Sequence, residues 1–186
     1  MLIVKKCIIW YNYSLTEVRG SWLLRGSTMV EEAHYKIGFA SGEQWEEAMG
    51  LAWKTFLEFE AGDYSMEGIR SFEDFITDTN LKRMFDAGAY QMMTVSCNDR
   101  MIGMITLRNE MHISLLFVDK NYHRQGIGRT LINCMAAYVR DELGKKRLTV
   151  NASPYGVPFY HRVGFRDLGP EKCQDGILYT PMEYLL

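Results

Sequence analysis

One segment in the second half of the chain combines an apolar run, a glycine-containing loop and the start of an amphipathic pattern. It reads SLLFVDKNYHRQGIGRTL, from Ser114 to Leu131. The apolar run predicts a strand, and Ile127 with Leu131 begins the buried stripe of a helix. Glycines let a ligand approach the backbone closely, and a helix start offers unpaired N–H groups and the positive end of the helix dipole. The segment therefore predicts a site for a phosphate-bearing ligand at residues 123–130.

The size and charge of the chain limit the class of protein. Its 186 residues fit one domain, with or without an appendage, and a net charge of −2 gives no field that would recruit nucleic acid. No apolar run approaches the roughly 20 residues of a membrane span, and the first residues do not read as a secretory signal. The four cysteines are scattered without a C-x-x-C pair, which favours reduced thiols, a cytoplasmic location and no metal site.

From residue 35 onwards the hydrophobic pattern predicts a mixture of strands and helices. Strands are expected at 35–40, 90–97, 101–107, 111–118, 147–152, 165–168 and 177–185. Helices are expected at 41–59, 67–78 and 155–163, with a short helix or loop at 80–89 and a loop followed by a helix over 122–142. This order predicts an α/β (α+β) layered domain over 35–186, with a mixed sheet of about six to seven strands. Residues 1–34 show no sustained period and are interpreted as an N-terminal extension, unless residues 2–10 add an edge strand.

Two nucleotide-binding motifs fit the loop poorly. A Walker A loop requires a glycine where His123 stands and a lysine where Arg129 stands. A dinucleotide fingerprint is satisfied by Gly126 and Gly128, but its third glycine position holds Leu131 and an antiparallel meander precedes it.

The loop resembles that of the GNAT superfamily of N-acyltransferases, whose cofactor loop reads Q/R-x-x-G-x-G/A between a strand and a helix. Here the six residues are His123-Arg124-Gln125-Gly126-Ile127-Gly128, so a histidine takes the usual Gln or Arg position. Asn151 on the next strand and the run Phe159-Tyr160-x-x-x-Gly164-Phe165 also resemble the family. The resemblance covers residues 35–186. It implies a GNAT-type fold whose sheet is splayed between the strands at 111–118 and 147–152, with acetyl-CoA as cosubstrate and no metal.

The resemblance also implies roles for individual residues. Backbone N–H groups of residues 125–128 would hold the pyrophosphate of coenzyme A, and Arg124 and Arg129 either bond phosphate oxygens or face solvent. The pantetheine arm is expected along the strand edge at 116–118, where the Phe117 N–H would polarise the thioester carbonyl. The cofactor-binding residues implied are Leu116, Phe117, Val118, His123, Arg124, Gln125, Gly126, Ile127, Gly128, Arg129, Thr130, Asn151 and Tyr155.

The reaction that the resemblance implies is direct attack of an amine on the acetyl thioester while both substrates are bound. Tyr160, by its match to the family's F-Y position, is expected to protonate the departing thiolate. The general base stays open among His112, its neighbour Glu110 and ordered water. Residues 41–86 carry eleven acidic and four basic side chains among several aromatic ones, and are expected to bind the amine of a small molecule or peptide.

Two other functional classes stay open. A non-catalytic acyl-CoA sensor would use Gly126, Gly128 and Asn151 but would need no proton donor. A nucleotide-binding domain would be stabilised by ATP or NAD and not by coenzyme A. The sequence predicts neither the acceptor nor whether the protein is a monomer or a homodimer, and it predicts no nucleic-acid or membrane partner.

Overall fold

A nine-stranded sheet with helices on both faces organises the residues that the computed structural model describes, which are 16–19 and 34–186. The strands are β1 (Thr16–Arg19), β2 (His34–Phe39), β3 (Tyr90–Cys97), β4 (Arg100–Arg108), β5 (His112–Val118), β6 (Arg147–Ala152), β7 (Arg166–Asp167), β8 (Lys172–Gln174) and β9 (Ile177–Leu185). The helices are α1 (Trp45–Phe59), α2 (Met66–Thr77), α3 (Thr79–Asp86), α4 (Ile127–Asp141) and α5 (Val157–Val163).

The strand order is β1-β2-β3-β4-β5-β6-β9-β7, and β8 pairs with the first three residues of β9. Neighbouring strands run antiparallel except for β5 and β6, which run parallel. The mixed α/β architecture predicted from the sequence is therefore confirmed. The described residues contain nine strands rather than six to seven, because β1 and β8 are only four and three residues long and carry no readable alternation.

The core has two layers, one on each face of the sheet. On one face, Leu131, Met135 and Val139 of α4 are fully buried in a cluster with residues of β3 to β6. On the other face, Trp45 and Phe56 of α1 are buried with residues of α2, α3 and the same central strands. Each such side chain contributes about 1.5–3 kcal/mol when it leaves water. The central strand β4 is buried on both faces, which fixes the positions of β5 and of the loop that follows it.

Helix caps explain where the helices begin. The Ser41 N–H donates to the Gln44 side-chain oxygen at 3.0 Å, and a short 3-10 turn follows, so α1 starts at Trp45 rather than at the predicted residue 41. Asp78 accepts a hydrogen bond from the Asn80 N–H at 2.7 Å. This cap makes residues 79–86 a helix, where the sequence left a helix or a loop open.

Strands β5 and β6 separate soon after they meet. They pair at His112 with Thr149 and at Ile113 with Val150, and their registers include no later partners. The predicted splay between these strands is present. Among residues 16–19 and 34–186, no strand pairs with this edge of β5 from Ser114 to Val118, which is called the free edge below.

The predicted boundary between an N-terminal segment at 1–34 and a domain at 35–186 stays a prediction. Residues 16–19 pair with β2 at the sheet edge, and the possible strand at 2–10 lies outside the described residues. In the part of the chain that the structure describes, no helix has the length and apolar character to cross a membrane.

Candidate active site

The free edge of β5 presents alternate backbone groups to the split in the sheet. The Asp119 N–H, just beyond the strand, donates to Ile102 O on β4 at 2.8 Å. Because backbone groups alternate along a strand, Phe117 also turns its N–H and C=O toward β4. The N–H groups of Leu116 and Val118 point into the split instead. The Phe117 N–H, which the sequence analysis assigns to the thioester carbonyl, therefore faces β4, and the N–H groups of Leu116 and Val118 are the ones that face the split.

A bulge in β5 sets which groups face the split. Thr106 on β4 lies opposite two β5 residues, Ser114 and Leu115, because the register shifts between Ile105 and Leu107. The Leu115 N–H donates to Thr106 Oγ1 at 3.0 Å, and the Tyr90 hydroxyl lies 2.7 Å from the same oxygen. A side chain therefore replaces the missing backbone acceptor at the bulge.

The loop after β5 ends in a helix start with unsatisfied donors. Gly126 has φ of 85°, and Thr130 N–H, which donates to Gly126 O at 2.9 Å, is the first donor of the α4 ladder. The N–H groups of Ile127, Gly128 and Arg129 precede it and have no acceptor within the helix. A methyl group on Gly126 would meet nothing within 4 Å, so open space lies beside these donors. Three convergent N–H groups and the dipole of a 15-residue helix suit a diphosphate.

Gly128 has a packing role as well. A Cβ at this position would lie 3.1 Å from Cζ of Phe159. A larger residue would push the Phe159 ring away by a few tenths of an ångström, so Gly128 serves the close packing of α4 against α5 as well as ligand access.

Other loop side chains bind the loop to itself. Gln125 donates to Asn121 O at 2.9 Å, and Thr130 Oγ1 donates to Gly126 O at 3.1 Å. Arg129 donates to Arg162 O at 2.8 Å, so its guanidinium is held against the end of α5. Arg124 is exposed, with φ of 60°. Both arginines are exposed, and among the described residues Arg129 donates one N–H to Arg162 O, so Arg124 has the less constrained guanidinium.

His123 differs from the expected phosphate donor. Its Nε2 donates to Val118 O at 2.8 Å, and its ring lies 4.9 Å from the ring of Phe59. Val118 O belongs to the edge that faces the split, so the histidine occupies that acceptor. This contact leaves Nδ1 as the only ring nitrogen able to reach a ligand.

Phe59, the last residue of α1, bridges the two sides of the split. Its ring lies 4.9 Å from His123, which follows β5, and 5.3 Å from Tyr155, which follows β6. Tyr155 is 48% exposed and Asn151 at the end of β6 is also exposed, so both polar groups are accessible to a ligand in the split. The structure thus brings the residues predicted on β6 close to those predicted after β5.

Asp119, which the sequence did not single out, anchors the loop. The side chain is 2% exposed and accepts hydrogen bonds from the Asn121 N–H at 3.0 Å and from Arg100 at 3.2 Å, and Lys54 of α1 lies 3.5 Å away. Burial raises the pKa of this carboxyl, but the Asn121 N–H and the two cations outweigh burial and hold the pKa below its ordinary value. Asp119 therefore stays ionised and joins the loop to α1 and β4.

Tyr160 on α5 is buried, and its ring packs edge-on against Phe159 at 5.3 Å and Phe165 at 5.1 Å. Burial and the nearby Glu60 carboxylate raise the pKa of its phenol above the ordinary value. The hydroxyl therefore stays protonated at neutral pH, which is the state a proton donor requires.

His112 lies where β5 and β6 still pair. Its Nδ1 is 2.9 Å from Thr149 Oγ1, and burial together with the Arg108 charge lowers its pKa to about 4. An imidazole with this pKa is a weak base at neutral pH. The neighbouring Glu110 forms an ion pair with Lys145 at 2.6 Å. Both observations weigh against these residues as the general base.

A cavity of about 380 Å³ lies between α1, α2 and α3. Apolar side chains of α1, Trp45, Met49 and Trp53, share its lining with three acidic residues and one lysine, which are Glu46, Glu73, Asp78 and Lys82. The wall therefore combines ring faces with acidic groups, which is the chemistry that favours a cation. Within the described ranges, no cluster of His, Cys, Asp and Glu has the arrangement of a metal site.

Comparison with known proteins agrees with this geometry. The sequence pattern of the family described as the acetyltransferase (GNAT) domain matches residues 60–186. The fold and the split sheet with its glycine loop define an acyltransferase of the GNAT class, and the chain belongs to the GNAT acetyltransferase family.

Solved structures share the fold at low sequence identity. A GCN5-related N-acetyltransferase from Rhodopseudomonas palustris aligns with a TM-score of 0.70 and 20% identity, over 87% of this chain and 100% of its own. The PaiA N-acetyltransferase from Thermoplasma acidophilum, in complex with coenzyme A, aligns at 0.67 and 20%, over 82% and 99%. A mutant of the spermidine N-acetyltransferase SpeG from Vibrio cholerae aligns at 0.57 and 15%, over 81% and 93%. Comparison with curated proteins gives no sequence match.

Proposed function

We propose that this protein is an N-acetyltransferase that moves the acetyl group of acetyl-CoA to a primary amine of a small molecule or peptide. One observation carries the proposal: the free edge of β5 leads directly to the unsatisfied N–H groups at the start of α4. An amide-containing arm would pair with the Leu116 and Val118 N–H groups while its diphosphate binds at the loop. The coenzyme A bound to PaiA supports the proposed cosubstrate, and the spermidine in the name of SpeG supports an amine as acceptor.

The residues around the split would each have a separate role in direct transfer. The N–H of Leu116 or Val118 would polarise the thioester carbonyl, a contribution of roughly 3 kcal/mol in other acyl-transfer enzymes. Asn151 and Tyr155 would position the arm from the β6 side. Tyr160 would protonate the departing sulfur. Holding amine and thioester together would contribute further, up to about 7–11 kcal/mol for ideal placement.

The test is free-thiol release from acetyl-CoA by the full chain, with diamines, amino acids, aromatic amines and peptides as acceptors. Direct transfer predicts thiol release with at least one amine. In double-reciprocal plots of the initial velocity, taken at several fixed concentrations of the second substrate, the lines should intersect because both substrates must be bound together. Parallel lines would indicate an acyl-enzyme and contradict direct attack. Coenzyme A binding without thiol release for any amine would favour the acyl-CoA sensor. Thermal stabilisation by ATP or NAD but not by coenzyme A would instead select a nucleotide-binding domain.

A further inference from the structure

Glu60 lies at the point where α1 reaches the split in the sheet. Its N–H donates to Phe56 O at 2.8 Å and its carbonyl accepts from the Asp63 N–H at 2.9 Å, so the backbone on both sides is fixed. The preceding residue, Phe59, contacts both walls of the split through His123 and Tyr155. Glu60 therefore follows directly on the ring that touches both walls of the split, and its side chain is partly buried there.

Three residues with hydroxyl groups, Ser153, Tyr64 and Tyr160, lie within electrostatic reach of this carboxylate. Ser153, which follows β6, interacts with both Glu60 and Tyr64 and favours their charged forms. Ser153 is itself positioned by the Gly156 N–H at 3.1 Å, and the Tyr64 hydroxyl donates to Leu178 O at 3.1 Å. Tyr160 is the third, close enough for the Glu60 charge to raise the pKa of its phenol. The proposed proton donor and Glu60 thus share one polar cluster.

Within the described residues, Glu60 differs from other buried carboxylates in having no ion pair. Asp119 and Glu183 are buried carboxylates flanked by arginine or lysine, and their pKa values are lowered. Among the ion pairs of the described residues none includes Glu60, and its acidic neighbour Asp63 disfavours its charge. Burial, with a smaller effect of Asp63, raises the pKa of Glu60 to about 7 against the opposing effect of Ser153. A carboxylate in this state accepts and releases protons near neutral pH.

We propose that Glu60 is the general base of the reaction, taking a proton from the acceptor ammonium at the mouth of the split. This assignment rests on the proposed N-acetyltransferase function. One N–H bond of the ammonium breaks and its proton goes to a Glu60 oxygen. The freed nitrogen lone pair forms the C–N bond, and the C–S electron pair leaves with sulfur, which takes the Tyr160 proton. The second nitrogen proton restores the tyrosine, and Glu60 releases its proton to solvent before the next turnover.

The test compares Glu60→Gln with Glu58→Gln. Glu58 lies on the same end of α1 but is paired with Lys120 at 2.6 Å, outside the polar cluster. At pH 7 we expect the kcat/KM of Glu60→Gln for the amine to fall at least about 100-fold, while coenzyme A affinity changes less than about threefold. Glu58→Gln should retain kcat/KM within about threefold. Glu60→Asp should recover part of the loss.

The pH profile separates a base from a structural group. Wild-type kcat/KM should rise with an apparent pKa near 7 and then level off. In Glu60→Gln, kcat/KM should not level off near pH 7. It should rise about tenfold per pH unit up to the pKa of the free amine, since only the neutral amine would react. If Glu60→Gln binds coenzyme A and keeps the wild-type kcat/KM and its pH dependence, Glu60 is not the base, but the proposed N-acetyltransferase function still holds. A wild-type protein that releases no thiol with any amine would overturn the proposed function itself.

Discussion

Arg129, on the first turn of α4, donates a hydrogen bond to the carbonyl oxygen of Arg162, on the last turn of α5, over 2.8 Å. The bond joins the helix that begins the phosphate loop to the helix that carries Tyr160. A charged group near the end of a helix also compensates its unsatisfied carbonyls. Arg129 thus holds the two halves of the candidate site together, whereas Arg124, three residues before the helix, is free to meet a phosphate.

Replacing each arginine by glutamine should separate these roles. In Arg129→Gln we expect the free energy of unfolding to fall by about 1 kcal/mol, with the coenzyme A dissociation constant changed less than about threefold. In Arg124→Gln we expect unchanged stability and a dissociation constant about five times weaker, through loss of one charge-assisted phosphate bond. Thermal denaturation and calorimetric titration with coenzyme A measure the two quantities. Equal weakening of binding in both variants would place Arg129 on the phosphate after all.

Gly126→Ala tests the phosphate loop against a matched glycine. Gly126 and Gly88 have φ of 85° and 75°, and a methyl group on either meets nothing within 4 Å. Both alanine variants should lose about 1 kcal/mol of stability, since the left-handed region disfavours alanine. Only Gly126→Ala should also weaken coenzyme A binding, by about tenfold or more, because its methyl lies where the ligand approaches the N–H groups. The idea fails if titration shows the two variants binding equally well.

The sequence predicted what depends on local pattern. The strand, loop and helix from Ser114 to Leu131 follow from hydrophobic period and glycine spacing, and the structure contains them. The contacts of Phe117, His123 and Arg129 were not predicted, because each depends on a partner: the strand pairing with β4, the Val118 carbonyl and the end of α5. No local signal reports those contacts.

Glu60 shows the same limit more sharply. In the sequence it is one of eleven acidic residues between positions 41 and 86, and no motif singles it out. Its unusual environment comes from Ser153 and Tyr160, almost a hundred residues further along the chain. Helix periodicity alone cannot predict a contact between residues so far apart in the sequence.

Thr106→Val tests the bulge that orients the free edge of β5. Valine keeps the shape of threonine but leaves the Leu115 N–H without its acceptor at 3.0 Å. Because the group is buried, we expect a loss of about 1–3 kcal/mol in the free energy of unfolding and weaker binding of the coenzyme A arm. Thr106→Ser, which keeps the hydroxyl, should recover the binding but not all of the stability. Urea denaturation and calorimetric titration check both; a Thr106→Val protein as stable as wild type would contradict the assigned role.

Tyr160→Phe tests the proton donor. The ring packs against Phe159 and Phe165, so phenylalanine should fit and coenzyme A affinity should stay within about twofold. With no phenolic proton for the departing sulfur, kcat should fall by about 100-fold. Tyr184→Phe is the control, because its ring also packs against Phe165 and it is assigned no role in binding or proton transfer. An unchanged kcat in Tyr160→Phe, measured by thiol release, would remove Tyr160 from the mechanism.

The pH dependence of stability tests the environment of Glu60 without any activity. Its pKa is raised in the folded state, from 4.5 to about 7, so folding favours the protonated acid. That stabilisation is complete below about pH 4.5 and is lost as the pH rises toward 7. The melting temperature of Glu60→Gln minus that of the wild type should therefore increase from pH 4.5 to 7 and stay constant above that.

Asp119→Asn should behave in the opposite sense. The pKa of Asp119 is lowered, so the stabilisation by this carboxylate is present at neutral pH and disappears only as the pH falls below about 3.8. Melting curves of the three proteins from pH 3 to 8 distinguish the two carboxylates, and a Glu60→Gln curve parallel to the wild type between pH 4.5 and 7 would show that Glu60 is an ordinary solvated acid.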